Sequence, residues 1–402
     1  MASAAVAGGF FEAWAERTAR RAAKAVAARA LYHSGARSLM ARLRRVSAGG
    51  ARVLILSYHR VVGDFAEDAK TGLPSLMIGR DTFRRHVEHL ANEFEVLSLD
   101  GALAVLAGRR KAQRDVAVLT FDDGYRDNFQ HAYPILREAG VPAHVFLPTD
   151  YTGTAAALPH DRLYRALTLL EGRRVDPRTL GLTPDAAAAL DAARAGASEV
   201  PGQIEALIAT HPTSTVTALA ERLERRLGLS PLDGIPDGAR PLTWDQCREM
   251  AAHGVDFGGH TGGHTVLVHE SPACIEREVR RCKEAIAEHL GAPPRHFAYP
   301  NGYYHPGVAA ALAAHGFRSA VTTEDEPNEP GVDPFRLRRK VLWEEFSRGP
   351  FGRYSHPLTA CQLDDVFGML ALRKAVPGLL DTRAKFEAAP APAAAPALKA
   401  AG

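Results

Sequence analysis

The chain has little cysteine, no long apolar run and almost no net charge, and each shortage excludes a class of protein. Its four cysteines, Cys247, Cys274, Cys282 and Cys361, form no C-x-x-C pair. That spacing excludes a zinc ribbon or a disulfide scaffold and leaves reduced, structural thiols in a cytoplasmic protein as the expectation. No stretch approaches the roughly 20 apolar residues a spanning helix needs. No secretory-type apolar core follows the N-terminus, which predicts a cytoplasmic substrate. A net charge of +3 leaves no electrostatic footprint for nucleic acid. No internal repeat is visible. What is present, 46% apolar and 24% charged residues over 402 positions, can bury a full-sized core.

The charge is unevenly spread. Residues 1–50 hold nine bases, from Arg17 to Arg45, against Glu12 and Glu16, and the rest is mostly alanine. Phe10, Phe11 and Trp14 stand at helical spacing ahead of that run. Such a helical leader fits an interfacial helix on an anionic membrane surface, peripheral at the inner face. It also fits a solvated helix packed on the main domain, and a transit peptide has similar composition. At the other end, residues 346–402 read as a helical extension whose Ala/Pro-rich stretch 388–402 is a disordered tail.

Between them runs an alternation of strands and helices. Arg52–His59, Phe94–Leu99, Val116–Phe121 and Val141–Leu147 read as strands. Asp81–Asn92 reads as a helix with an N-cap aspartate, its Phe83, Val87 and Leu90 spaced by four and three. The rhythm stops at about residue 155, where a helical insertion runs to about 240. It resumes with helices at Asp245–His253, Cys274–Leu290 and Gly307–His315 and strands at Val255–Gly258, His296–Tyr299 and Ser319–Thr322. Alternation of this kind implies parallel strands in an open α/β sheet or a barrel.

Two stretches carry chemistry. In VLTFDDGYRDN, Val118–Asn128, an apolar strand closes on adjacent carboxylates, Asp122 and Asp123. Strand carboxyl ends are where α/β folds keep their sites, and neighbouring side chains diverge along extended chain, so one aspartate can bind while the other reacts. A plain turn with a helix cap fits the same letters. In Gly258–His264, GGHTGGH, two histidines four apart sit in a glycine-rich turn that opens a helix in this reading. One carboxylate and two imidazoles with open positions suit a catalytic divalent ion.

TFDDGYRDN (Thr120–Asn128), GGHTGGHTVL (Gly258–Leu267) and HFAYPNG (His296–Gly302), in that order, resemble the NodB-homology polysaccharide deacetylases, carbohydrate esterase family four. LILSYHRV (Leu54–Val61) and LTWDQCREMAAHGVDFGGHT (Leu242–Thr261) look like its exopolysaccharide-associated branch. The resemblance covers about residues 50–150 and 240–345, within a domain spanning 51–345. It implies a distorted (β/α)7 barrel. It also implies Asp123, His260 and His264 as ligands of a divalent metal, zinc first, with cobalt or nickel as alternates. Asp122 becomes the general base, and the Tyr125 loop supplies a backbone donor to the oxyanion.

Two departures bear on roles. Ala298 stands where many members carry the arginine that orients the base; Arg339 is the substitute, with Arg295 the second choice. No late Leu-x-His motif is found; the early Tyr-His-Arg segment resembles the exopolysaccharide-associated branch's permuted version of it, which implies His59 as the general acid, although a strand-end histidine also fits a plain core position. Thr265 replaces a common proline. His86, His89, His131, His144, His253, His269, His289 and His315 read as structural, and Asp127 and Asn128 as braces for the first motif. The expected activity is metal-dependent removal of N-acetyl, less readily O-acetyl, groups from an amino-sugar glycan or lipid-linked precursor. A cyclic-amide hydrolase of the same fold and a non-catalytic glycan-binding or assembly subunit are the rivals.

Overall fold

The computed structural model describes residues 19–47, 50–173, 184–196 and 199–370. Two strands form its axis: β1 (Val53–Tyr58) and β5 (Val116–Phe121) pair in parallel from Val53↔Val116 to Tyr58↔Phe121, with every residue buried. Apolar runs without alternation give strands covered on both faces. From β5 the sheet continues through β6 (Ala143–Leu147), β7 (Val255–Gly259), β8 (His296–Ala298) and β9 (Ser319–Val321). On the other side β1 pairs with β10 (Arg339–Val341). A parallel bridge from Val321 to Leu337 joins the two ends of this path. The result is a mostly parallel, nearly closed barrel of seven strands, the distorted (β/α)7 barrel expected.

Helices cover the strands through their apolar stripes. In Arg80–Glu93, Phe83, Val87 and Leu90 are buried as their spacing predicts. Each such side chain contributes about 1.5–3 kcal/mol of burial. The N-cap there is Gly79, not Asp81, which instead lies in the first turn; an acid is favoured at that position by the helix dipole. The expected strand Phe94–Leu99 shrinks to β4 (Glu95–Val96), beside the start of β5. It ends early because Ser98 accepts the Gly101 N–H and caps the helix Leu99–Leu106. A second parallel sheet, β2 (Arg60–Val62) with β3 (Met77–Gly79), was not visible in the periodicity; three residues are too few to show one.

The segment between β6 and β7 forms helices Pro159–Arg173, Pro184–Gly196, Val200–Thr210 and Thr213–Leu227. Leu163, Leu167, Leu207, Leu219 and Leu223 give it an apolar core of its own. β6 and β7 still pair from Ala143↔Val255 to Leu147↔Gly259, so the barrel wall is unbroken. The insertion therefore rises from the carboxyl ends of the strands.

Helices 19–33 and Ala36–Ser47 pack on the C-terminal segment through Ala28, Leu358, Cys361, Val366 and Phe367. Arg37 is buried between Asp364, 2.8 Å away, and Glu93, 2.9 Å away. Among the described residues no helix is long and apolar enough to cross a membrane. Phe10, Phe11, Trp14 and the stretch 388–402 lie outside the described residues.

Candidate metal centre

The centre is built where β5 ends. Asp123 and Gly124 both take left-handed backbone, with φ of 70° and 58°. The first is uncommon for a residue with a side chain. The second position has no room for one, since a Cβ there would come within 2.6 Å of Leu147 Cδ2. This turn sends the two carboxylates in different directions. The loop is pinned by the chain returning from the insertion: Arg126 N–H donates to Arg240 O at 2.7 Å and Leu242 N–H to Gly124 O at 2.8 Å. In that antiparallel pattern the intervening Tyr125 N–H faces away from Pro241.

His260 and His264 lie in the glycine-rich turn after β7, as read, but it leads into a loop rather than opening a helix. Thr261 and His264 are again left-handed, with φ of 64° and 55°. Three of the five such non-glycine residues described thus lie in this one site. Backbone strain of this kind is held only where surrounding contacts fix it. Here Glu278, buried on helix Pro272–Leu290, accepts from Gly262 N–H at 3.1 Å, Gly263 N–H at 2.9 Å and Thr265 Oγ1 at 3.1 Å. Thr265 N–H donates to Thr261 Oγ1 at 2.8 Å, so the threonine in the usual proline position is part of the loop's bracing.

Asp123 Oδ1 lies 3.0 Å from His264 Nε2 and 3.4 Å from His260 Nε2. That oxygen is buried and makes no hydrogen bond. His260 donates its Nδ1–H to Ala298 O at 2.7 Å, which leaves the Nε2 lone pair facing the carboxylate. The three side chains offer ligand atoms within 4.8 Å of one another. A buried, unpartnered carboxylate oxygen beside two inward imidazoles is the donor set a divalent cation takes.

Asp122 stands next to this group without joining it. Arg339, fully buried on β10, grips it with two bonds of 2.7 Å, Nη1 to Oδ1 and Nη2 to Oδ2. The same guanidinium donates to Thr322 O at 2.8 Å and to Thr120 Oγ1 at 3.1 Å. Burial raises the Asp122 carboxyl, and Arg339 more than offsets it, so the group stays below its ordinary value. His59 Nε2 stands 3.9 Å from Asp122 Oδ2.

Residues 109–320, more than half of the chain, match the family model described as polysaccharide deacetylase. The chain belongs to the polysaccharide deacetylase family. It is a hydrolase of that type. It is 29% identical over 305 residues, 76% of each chain, to YxkH of Bacillus subtilis (strain 168), which carries the name of a polysaccharide deacetylase. Two solved structures overlap it at 19% identity and a TM-score of 0.49. They are the deacetylase PplD of Streptococcus pyogenes in complex with acetate (75% of this chain, 96% of that one) and IcaB from Ammonifex degensii (78% and 98%).

In this deacetylase, Asp122, Asp123, His260, His264, Arg339 and His59 come together as their motifs imply. Arg295 does not: it pairs with Asp100 at 2.7 Å on the surface. Asp127 and Asn128 brace as expected, through Arg60 Nε to Asp127 Oδ2 at 2.8 Å and Asn128 Nδ2 to His59 O at 2.7 Å. The Tyr125 side chain turns from the metal group to bond His160 and Asp161, two insertion residues that motif reading missed. Glu278 was missed too. Their only signal is polar residues on helices, which helical periodicity alone assigns to solvent.

Proposed function

We propose that this deacetylase removes N-acetyl groups from an amino-sugar glycan with a divalent metal, zinc first, held by Asp123, His260 and His264. The observation that carries the reading is Asp122, clamped by Arg339 and left free beside the ligand group. Bound there, a divalent ion supplies Lewis-acid chemistry, acidifying water toward a pKa of about 7 and polarising the acyl carbonyl. Asp122 accepts the water proton, and Arg339 keeps it ionised and aimed. The outward Tyr125 N–H serves the developing oxyanion. His59, across from Asp122, protonates the departing nitrogen. An amine leaving group needs that proton far more than a sugar hydroxyl does, which favours N- over O-acetyl substrates.

The test is acetate release from N-acetylglucosamine oligomers by protein stripped with a chelator and refilled with zinc, cobalt or nickel. Metal-restored acetate is the expected result. Tight stoichiometric metal without acetate on these oligomers or on O-acetylated glycans would overturn the substrate, and no metal binding would overturn the mechanism.

The leader supports a peripheral site of action at the cytoplasmic face of a membrane. Helix Ala36–Ser47 keeps ion-paired Arg37 inward and turns Leu39, Leu43 and Val46 outward, 58%, 59% and 74% exposed, with Val26 of the preceding helix 70% exposed. Arg42 is exposed between them. Apolar side chains flanked by bases suit an anionic lipid surface. All four cysteines are unpaired, the state a reducing compartment maintains. Full-length protein should sediment with anionic but not neutral vesicles, and Leu39→Gln, Leu43→Gln and Val46→Gln together should abolish this. Equal sedimentation of the triple variant would sink the lipid reading.

A further inference from the structure

We propose that His160, delivered by the insertion, is a positioning residue for the metal ligand Asp123. The inference rests on the metal reading above. Asp123 presents Oδ1 to His260 and His264 and Oδ2 to His160, whose Nε2 lies 3.7 Å away. The His160 ring stands 5.2 Å from that of His264, so it borders the ligand group directly.

The proton on His160 is assigned by its neighbours. Tyr125, fully buried, has one hydroxyl proton, and Asp161 Oδ2 accepts it at 2.9 Å. The phenol oxygen is then an acceptor toward His160 Nε2, 2.7 Å away. Nε2 must therefore carry hydrogen. A protonated Nε2 has no lone pair for a metal; its hydrogen goes to the Tyr125 oxygen, which holds the positive edge of the ring 3.7 Å from the second oxygen of Asp123. Ligating side chains are commonly oriented by outer polar partners, whose loss costs about 10–100-fold in metal affinity.

The anchor comes from outside the barrel. His160 and Asp161 open helix Pro159–Arg173, while Tyr125 belongs to the loop after β5. The chain Asp161–Tyr125–His160–Asp123 thus links the insertion to the metal group, and the insertion becomes part of the metal-holding apparatus.

Zinc and cobalt dissociation constants, measured by chelator competition on full-length protein, test the assignment, with the cobalt absorption spectrum recorded beside them. His160→Ala should weaken metal binding about 10–100-fold. His160→Gln, whose amide keeps an N–H donor near the Nε2 position, should recover most of the loss. Tyr125→Phe should fall between, because it frees the imidazole without removing it. Circular dichroism and the melting temperature separate these effects from misfolding, and the glutamine variant carries the test if the alanine variant fails to fold. Unchanged metal constants in all three variants would overturn the proposal. So would a loss beyond about 1,000-fold with a changed cobalt spectrum, which would make His160 a ligand. A wild-type chain that binds no metal would instead defeat the reading of the site itself.

Discussion

Arg339→Met removes one half of a buried ion pair and leaves the other half in place. Asp122 is 3% exposed and both of its oxygens are engaged at 2.7 Å. Stripping the partner from a buried charge costs about 3–5 kcal/mol. At roughly 2–4 °C per kcal/mol, the melting temperature should fall by about 6–20 °C. Turnover should fall at least about 100-fold, since the base loses its aim. Metal affinity should change little, because Arg339 touches none of the three ligands. The decisive comparison is Asp122→Asn with Arg339→Met. With no charge left to bury, that double variant should regain most of the lost stability while remaining inactive. Denaturant unfolding, chelator competition and acetate release read the three quantities separately. An Arg339→Met enzyme within about 0.5 kcal/mol of wild type and still turning over would refute the clamp.

Asp122→Asn should abolish acetate release and keep the metal, whereas His264→Ala should lose both; equal turnover in Asp122→Asn and wild type would remove the base assignment. His59→Gln should lower kcat about 100-fold or more on an N-acetyl substrate and much less on an O-acetyl ester, read as the ratio of the two rates. His86 and His89 predict acid sensitivity away from the site. Burial, with a neighbouring histidine, lowers His86 from near 6.5 to about 3 and His89 to about 4. The unfolded chain then binds more protons than the folded one below pH 6.5. Their stabilisation is complete above that pH and is lost as pH falls, by about 2.5 kcal/mol per unit near pH 5. Melting temperatures between pH 7.5 and 5 check this, and a flat profile would contradict the burial of these rings as neutral groups.

The parts legible in the sequence were those where a local pattern has one structural outcome. A buried strand that closes on two aspartates can show them only at its carboxyl end, so Asp122 and Asp123 could be read directly. Arg339 was readable because it stands in a strand-like segment where the exopolysaccharide-associated branch carries an arginine. His260 and His264 were read in a glycine-rich turn that opens a helix; the turn is there but leads into a loop, since a spacing of four fits a helix and a glycine-rich loop alike. His160 and Glu278 could not be read. Each lies on a helix whose orientation is set by packing, through the Leu163–Leu223 core for one and the barrel wall for the other. β4 lost most of its expected length to a serine cap, a competition between two local signals that hydrophobicity alone does not weigh.

The pairing of β1 with β10 has a consequence for the order in which the protein becomes competent. Asp123, His260 and His264, with the Glu278 and Ala298 groups that brace the two histidines, have all been made by residue 298, but the arginine that clamps the base arrives on the last strand. It docks only when the ring is shut, with Ile55 opposite Arg339. A growing or prematurely ended chain can therefore assemble its cation-holding residues without a poised base. Hydrolysis begins only at the step that joins the first strand to the last, so catalytic activity reports on completed folding more faithfully than metal content does.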